Sequence, residues 1–196
     1  MVNFPLFAIF AYLLGSIPFA FLIGRLKGID IREIGSKSTT STNVSRALGW
    51  RWGVVSAALD VLKAIIPAFL AKIYLINEWQ IITVALLPMV GHIFPLYLNF
   101  RGGKGAACFY GATLVLTGFK FFFSAFLLWI LILYFCRIMS LTNILFSWTL
   151  IPLLYFYFPF PYFVYGILGA IIITFAMREN IDRFKKGAEP KISFKW

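Results

Sequence analysis

The chain has 196 residues, 61% of them hydrophobic and 13% charged, with a mean hydropathy of +0.88. A soluble domain is nearer half apolar and a quarter charged, so this composition excludes a disordered chain, an ordinary soluble enzyme and a coiled coil. The net charge of +11 calls for an anionic partner, whether lipid headgroups, an anionic substrate or nucleic acid. Two cysteines, Cys108 and Cys136, and a single histidine leave no disulfide framework and no metal-ligand spacing, so neither metal nor cofactor is expected.

A membrane-spanning helix takes about 20 apolar residues. The apolar runs here are continuous and do not alternate, which argues against a transmembrane barrel. The first run is Phe4 to Gly24. Arg25 and Lys27 follow it and no basic residue precedes it, the reverse of a cleavable signal peptide. It reads as a retained span with its N-terminus outside the cytoplasm. The second run is Trp52 to Ile76 and the third Gln80 to Phe100.

Ala106 to Met139 would be about 50 Å long as one helix, well beyond a ~30 Å hydrocarbon core. Gly118 and Lys120 near its middle divide it into a short fourth helix, about 106–118, and a fifth, about 120–138. Leu141 to Met177 is also too long for one span. The Phe158-Pro159-Phe160-Pro161-Tyr162 stretch reads as a turn, giving a sixth helix over 141–158 and a seventh over 160–177.

Seven spans sort the charges. Arg25, Lys27, Arg32, Lys37, Arg46 and Arg51 fall after the first span, Arg101 and Lys104 after the third, and Arg137 after the fifth. Arg178, Arg183, Lys185, Lys186, Lys191 and Lys195 follow the seventh, so 15 of the 18 basic residues share one side. Merging either long region into one span destroys the sorting. The predicted class is therefore an all-α membrane protein. It is a polytopic bundle of about seven transmembrane helices in one domain (1–196), with its N-terminus outside and its C-terminus cytoplasmic. This placement favours lipid and small anionic substrates over nucleic acid.

Three polar segments fall on the predicted cytoplasmic side. In the first, seven of the ten residues from Ser36 to Ser45 are Ser or Thr, and Asn43 and Arg46 join them. Hydroxyls and a guanidinium fork suit an oxyanion, while a solvated loop with helix caps is the plain alternative. The second runs from Gly91-His92-Ile93-Phe94-Pro95 to Arg101-Gly102-Gly103-Lys104-Gly105 and opens into the fourth helix. A glycine-rich turn with a lysine at a helix start reads as a phosphate cradle, with a flexible cytoplasmic turn as the plain alternative. It is not a Walker A loop, because Leu98 and Gly105 stand where that motif has Gly and Ser/Thr. The third runs from Arg178 to Glu189 and includes Asn180, an amide able to position a hydroxyl or phosphate. Inside the membrane, Asp60 and Lys63 lie three apart on one helix face and read as a mutual pair turned to the bundle interior, with substrate contact as the alternative.

These segments resemble the motifs of the bacterial acyl-phosphate:glycerol-3-phosphate acyltransferase family, over nearly the whole chain. Its first motif, roughly GSGNxGxTNxxR, is matched by Gly35, Ser36, Thr42, Asn43 and Arg46, with departures at Lys37, Ser38 and Thr40. The second, roughly GHxFPxxLxFxGGKG, is matched by Gly91, His92, Phe94, Pro95, Leu98, Phe100, Gly102, Gly103, Lys104 and Gly105. The third, roughly HRENIxRxxxGxE, is matched by Arg178, Glu179, Asn180, Ile181, Arg183, Gly187 and Glu189, with Met177 where the pattern has His.

The resemblance implies transfer of an acyl group from a fatty acyl phosphate to the 1-hydroxyl of glycerol 3-phosphate, giving lysophosphatidic acid and phosphate. It also implies that the second motif binds glycerol 3-phosphate and that Ser36 and Arg46 are needed for activity. The expected setting is the inner membrane with the site on its cytoplasmic face. Membrane lipids and the soluble enzyme that makes acyl phosphate are the expected partners.

The residues fit direct attack on an already activated donor, since the few acids and single histidine offer no Ser/His/Asp constellation and Tyr97 stands five positions after His92. Lys104 and the Gly102–Gly105 backbone are expected on the acceptor phosphate, Ser36 and Arg46 on the donor phosphate or oxyanion, and Asn180 on the acceptor hydroxyl. His92 completes the catalytic set, with a structural role as the alternative for a lone histidine near a helix end. Thr42, Asn43, Arg101, Arg178, Asp60 and Lys63 are expected as further substrate contacts, and Glu189 as structural. A small-anion or lipid transporter is the competing class, because intramembrane charges and broken helices also occur there.

Overall fold

The computed structural model describes residues 3–192; Lys195, counted above among the tail cations, lies outside them. All regular structure among these residues is helical. The contacts divide the chain into two compact units, Met1–Leu116 and Thr117–Trp196.

In the first unit the N-terminal span is broken into α1 (Phe4–Ser16) and α2 (Phe19–Leu26). The cause is Pro18, which offers no N–H and forces the preceding Ile17 into extended backbone, ψ 116°. A loop then leads to the short α3 (Ser41–Leu48), followed by α4 (Trp50–Tyr74) and α5 (Glu78–Ile93). The third apolar run was expected to continue to Phe100. Instead α5 stops at Ile93, and only a 3₁₀ turn, Leu96–Leu98, follows Pro95. The unit ends within α6 (Ala106–Thr117), at its penultimate residue.

α1 lies directly on α5 because two glycines allow it. A methyl on Gly15 would overlap the Pro88 backbone, and one on Gly91 would overlap the Tyr12 carbonyl. Small residues that let backbones approach are how helices associate in lipid. Tyr12 Oη then donates to the Phe94 carbonyl at 2.9 Å, tying the C-terminal half of α1 to the end of α5. α6 packs on α4 in the same way, through Gly111 against the Val61 backbone. Lys72 Nζ donates to the carbonyls of Val115 and Leu116 at 3.2 and 3.3 Å, covering the open end of α6.

The second unit contains α7 (Phe119–Cys136), α8 (Met139–Tyr157), α9 (Phe160–Ala176) and α10 (Arg178–Lys185). Gly118, at φ +82°, makes the break expected within the long fourth apolar run. Arg137, at φ 54°, ends α7 in the left-handed region. Trp129 Nε1 donates to Asn143 Oδ1 at 2.9 Å between α7 and α8, and Trp148 Nε1 donates to Thr174 Oγ1 at 3.1 Å between α8 and α9. Each indole thus keeps its apolar body in the membrane and its N–H satisfied.

Five helical stretches are long and apolar enough to cross a membrane, and a sixth if α9 and α10, bent by 58°, count as one. α6 is apolar but has 12 residues, about 18 Å of helix, shorter than a full crossing. Large apolar side chains such as Leu127, Phe135 and Phe156 stand exposed, which only a lipid environment accommodates on this scale.

Candidate active site

The hydroxyl-rich segment is shaped by Asn43, in the first turn of α3. Its Oδ1 accepts the Ser36 N–H at 3.0 Å, and its Nδ2 donates to the carbonyls of Ile31, Ile34 and Ser38 at 2.8, 3.0 and 3.1 Å. Asn43, expected as a substrate contact, is fully buried, and its amide is occupied by its own loop. Thr40 caps α3 by accepting the Asn43 N–H at 3.3 Å. The hydroxyls of Ser36 and Ser38 are 2.9 Å apart, and those of Ser38 and Thr40 3.4 Å, forming a chain along the loop. Arg46 stands exposed on α3, one turn beyond Thr42 and Asn43.

Before this segment, Asp30 holds the loop. Its carboxylate accepts from Arg32 at 2.7 Å and Arg25 at 2.9 Å, and the hydrogen bonds from Arg32 bring its pKa down to about 2. Both guanidinium groups lie over the Phe21 ring, at 4.6 and 5.2 Å.

The glycine-rich turn doubles back on the end of α5. Gly102 N–H donates to the Ile93 carbonyl at 3.1 Å and Gly103 N–H to the His92 carbonyl at 3.0 Å, satisfying two carbonyls left open by the helix terminus. Those two amides were expected on a phosphate; the structure commits them to the fold. A Cβ on Gly102 would overlap the His92 carbonyl, and a Cβ on Gly103 would overlap His92 Nε2 and press on the Thr39 carbonyl. Gly105 sits at φ +80°, where side chains are strained. α6 starts one residue later, and the amides of its first turn have no acceptor within the helix. The hydroxyl-rich segment and the glycine turn therefore meet at Thr39 and Gly103.

Beneath the turn lies a buried charged group. Lys63 Nζ is 2.8 Å from Asp60 Oδ1, 2.8 Å from the Ile17 carbonyl and 2.9 Å from His92 Nδ1. Lys63, Asp60 and His92 are 2%, 1% and 7% exposed. The pairing of Asp60 with Lys63 follows from their spacing; the inclusion of His92 and of a carbonyl from the α1–α2 break has no local sequence signal. Cys108 Sγ, fully buried, donates to the Asp60 carbonyl at 3.3 Å.

In the second unit, Glu189 is the centre of a separate cluster. Its Oε1 accepts from Asn180 Nδ2 and Ser140 Oγ, both at 2.7 Å, and its Oε2 accepts from Arg183 Nε at 2.8 Å. Burial pushes this carboxyl up, but the hydrogen bonds from Asn180, Ser140 and Arg183 outweigh it and hold the group below its ordinary value. Asn180 Oδ1 is buried without a hydrogen-bond partner among the described residues. Arg178 lies over the Phe175 ring at 4.6 Å. Met177 is 3% exposed at the α9–α10 junction, and its thioether supplies no base there. Ser140 was not foreseen, because it lies 49 residues from its partner.

Apolar helices of membrane-crossing length, joined by polar loops that carry a glycine turn and a hydroxyl–guanidinium segment, define an integral membrane protein. Residues 5–187 match the family model described as glycerol-3-phosphate acyltransferase. The chain is 40% identical to a glycerol-3-phosphate acyltransferase of Aquifex aeolicus, with 92% of this chain and 95% of the relative covered. It is 38% identical to the one from Synechococcus elongatus, covering 94% and 92%. The crystal structure of PlsY, an integral membrane glycerol 3-phosphate acyltransferase, in its glycerol 3-phosphate form superposes with a TM-score of 0.92 at 35% identity, covering 97% of this chain and 96% of that one. The lysophosphatidic acid form superposes at 0.89. The chain belongs to the glycerol-3-phosphate acyltransferase family.

Proposed function

We propose that the protein transfers a fatty acyl group from an acyl phosphate to the 1-hydroxyl of glycerol 3-phosphate, releasing lysophosphatidic acid and phosphate. The observation that carries this reading is the convergence, in one compact unit, of two oxyanion-type segments at Thr39 and Gly103. A reaction between two phosphorylated substrates needs two such places side by side. The related structures with glycerol 3-phosphate and with lysophosphatidic acid support the acceptor and the product.

In this reading Lys104 and the amides opening α6 hold the acceptor phosphate. Ser36 and Arg46 hold the donor phosphate and stabilise the oxyanion. The acceptor hydroxyl oxygen attacks the acyl carbonyl, the bond from that carbon to the phosphate oxygen breaks, and the hydroxyl proton ends on a phosphate oxygen. An acyl-enzyme is not required, because the leaving group is already good. Cys108, the nearest thiol, is fully buried and hydrogen-bonded to a helix carbonyl. The distribution of basic residues favours the cytoplasmic face of the inner membrane for the site, with acyl phosphate delivered by the soluble enzyme that makes it.

The test is phosphate release from palmitoyl phosphate by purified protein, with and without glycerol 3-phosphate. Release should depend on the acceptor, and Lys104→Ala should abolish it or raise the acceptor KM by about tenfold or more, the size of a lost charge-assisted bond. Acylated protein accumulating with donor alone would exclude direct attack. Absence of release from folded protein, with thioester donors also inactive, would remove the enzymatic reading.

A further inference from the structure

Lys63 is the most completely enclosed cation of the first unit, and the function proposed above gives it no task. Its ammonium hydrogen-bonds to two acceptors, the Ile17 carbonyl at the α1–α2 break at 2.8 Å and His92 Nδ1 on α5 at 2.9 Å. It is ion-paired with Asp60 Oδ1 on α4 at 2.8 Å, outside hydrogen-bond geometry. The Ile17 carbonyl is available because Pro18 ends the helix there. The Phe19 ring closes the group from another side, 5.6 Å from Nζ. Asp60 Oδ1 is also 3.4 Å from His92 Nδ1, but the shorter contact is the one to Lys63.

An ammonium donates and never accepts. If Lys63 is charged, as its pairing with Asp60 requires, then Nδ1 is an acceptor and the imidazole carries its proton on Nε2. A neutral ring also leaves the buried group with one positive and one negative charge. Nε2 is the ring atom that faces the glycine turn, where a Cβ on Gly103 would overlap it. Among the described residues Nε2 has no hydrogen-bond partner.

We propose that Lys63 is a positioning residue: it fixes His92 as the Nε2–H tautomer and so aims a neutral donor from beneath the glycine turn at the oxyanion received there. The proposal rests on the acceptor-phosphate reading of that turn. Lys63 touches no substrate; it acts through the imidazole, and Asp60 balances its charge. The break after Ser16 thereby acquires a task, since it releases the carbonyl that holds the ammonium in place.

Because His92 is the only histidine in the sequence, imidazole ¹⁵N labelling of tag-free protein reports on this one ring. The expected spectrum has an unprotonated Nδ1 and a protonated Nε2, and glycerol 3-phosphate shifts the Nε2 resonance. A ring protonated on Nδ1, a cationic ring, or an Nε2 signal unmoved by saturating glycerol 3-phosphate would overturn the proposal.

The kinetic arm uses Asp60→Asn/Lys63→Met, which removes both charges together and avoids stranding one. The KM for glycerol 3-phosphate should rise by about tenfold, as for one lost bond to a charged ligand. The donor KM and kcat should each stay within about threefold. A fall in kcat with the acceptor KM unchanged would argue that the group only supports the fold. If wild-type protein shows no acyl transfer, the functional reading fails on that assay alone. The tautomer, and its response to inorganic phosphate, then still decide what Lys63 does.

Discussion

Asn43 commits both ends of its amide to the loop it follows, so truncating it strips several backbone groups of their partner at once. Asn43→Ala would leave the Ser36 N–H and the buried Ile31 carbonyl without partners, a loss of about 2–3 kcal/mol. Asn43→Asp keeps the acceptor for Ser36 but turns a second carboxylate oxygen toward the carbonyls of Ile31, Ile34 and Ser38, so it should be worse than alanine. Thermal unfolding in detergent checks the order wild type, then Ala, then Asp; an Asp variant as stable as wild type would refute the account. The sequence made Asn43 conspicuous but not its role, because an asparagine among hydroxyls looks the same whether it faces a ligand or its own backbone. Gly102 and Gly103 carry the same lesson. Their spacing marked a phosphate turn, yet their amides close α5, and only tertiary contact with His92 reveals it.

At the scale of elements, α10 depends on one carboxylate. Glu189 joins the segment after α10 to Asn180 and Arg183 on it and to Ser140 on α8. Its folded pKa lies below the ordinary 4.5, so the stabilisation it gives is complete above that value and is lost as pH falls through the lower folded value. Residues 178–192 should therefore become accessible to protease or to amide exchange as pH is lowered below about 4.5, before the apolar helices respond. Glu189→Gln should be more accessible at neutral pH and lose that pH dependence; an unchanged pH profile would contradict the assignment. The apolar elements were legible from hydropathy and from Gly118 and Pro159. Their interruptions were less so. The breaks at Pro18 and Pro95 lie inside unbroken apolar runs, where hydropathy registers no change, although proline chemistry alone is enough to end a helix there.

At the scale of the whole molecule, charge and length support each other. The basic residues cluster after alternate apolar segments, and this asymmetry predicts a direction that the helices themselves do not carry. α6, with 12 residues, is the element on which the alternation turns: if it did not pass the chain across, everything after it would be inverted. Single cysteines test this directly, since Cys108 is buried and Cys136 can be replaced by serine. Asn77→Cys, between α4 and α5, should react with a membrane-impermeant maleimide in intact cells. Glu33→Cys, before α3, and Asp182→Cys, on α10, should react only after permeabilisation. Labelling of Asp182→Cys from outside, with Glu33→Cys still protected, would mean that α6 is re-entrant or that α7–α9 cross an even number of times. The C-terminal basic segment would then lie on the opposite side from Lys104, against the charge asymmetry.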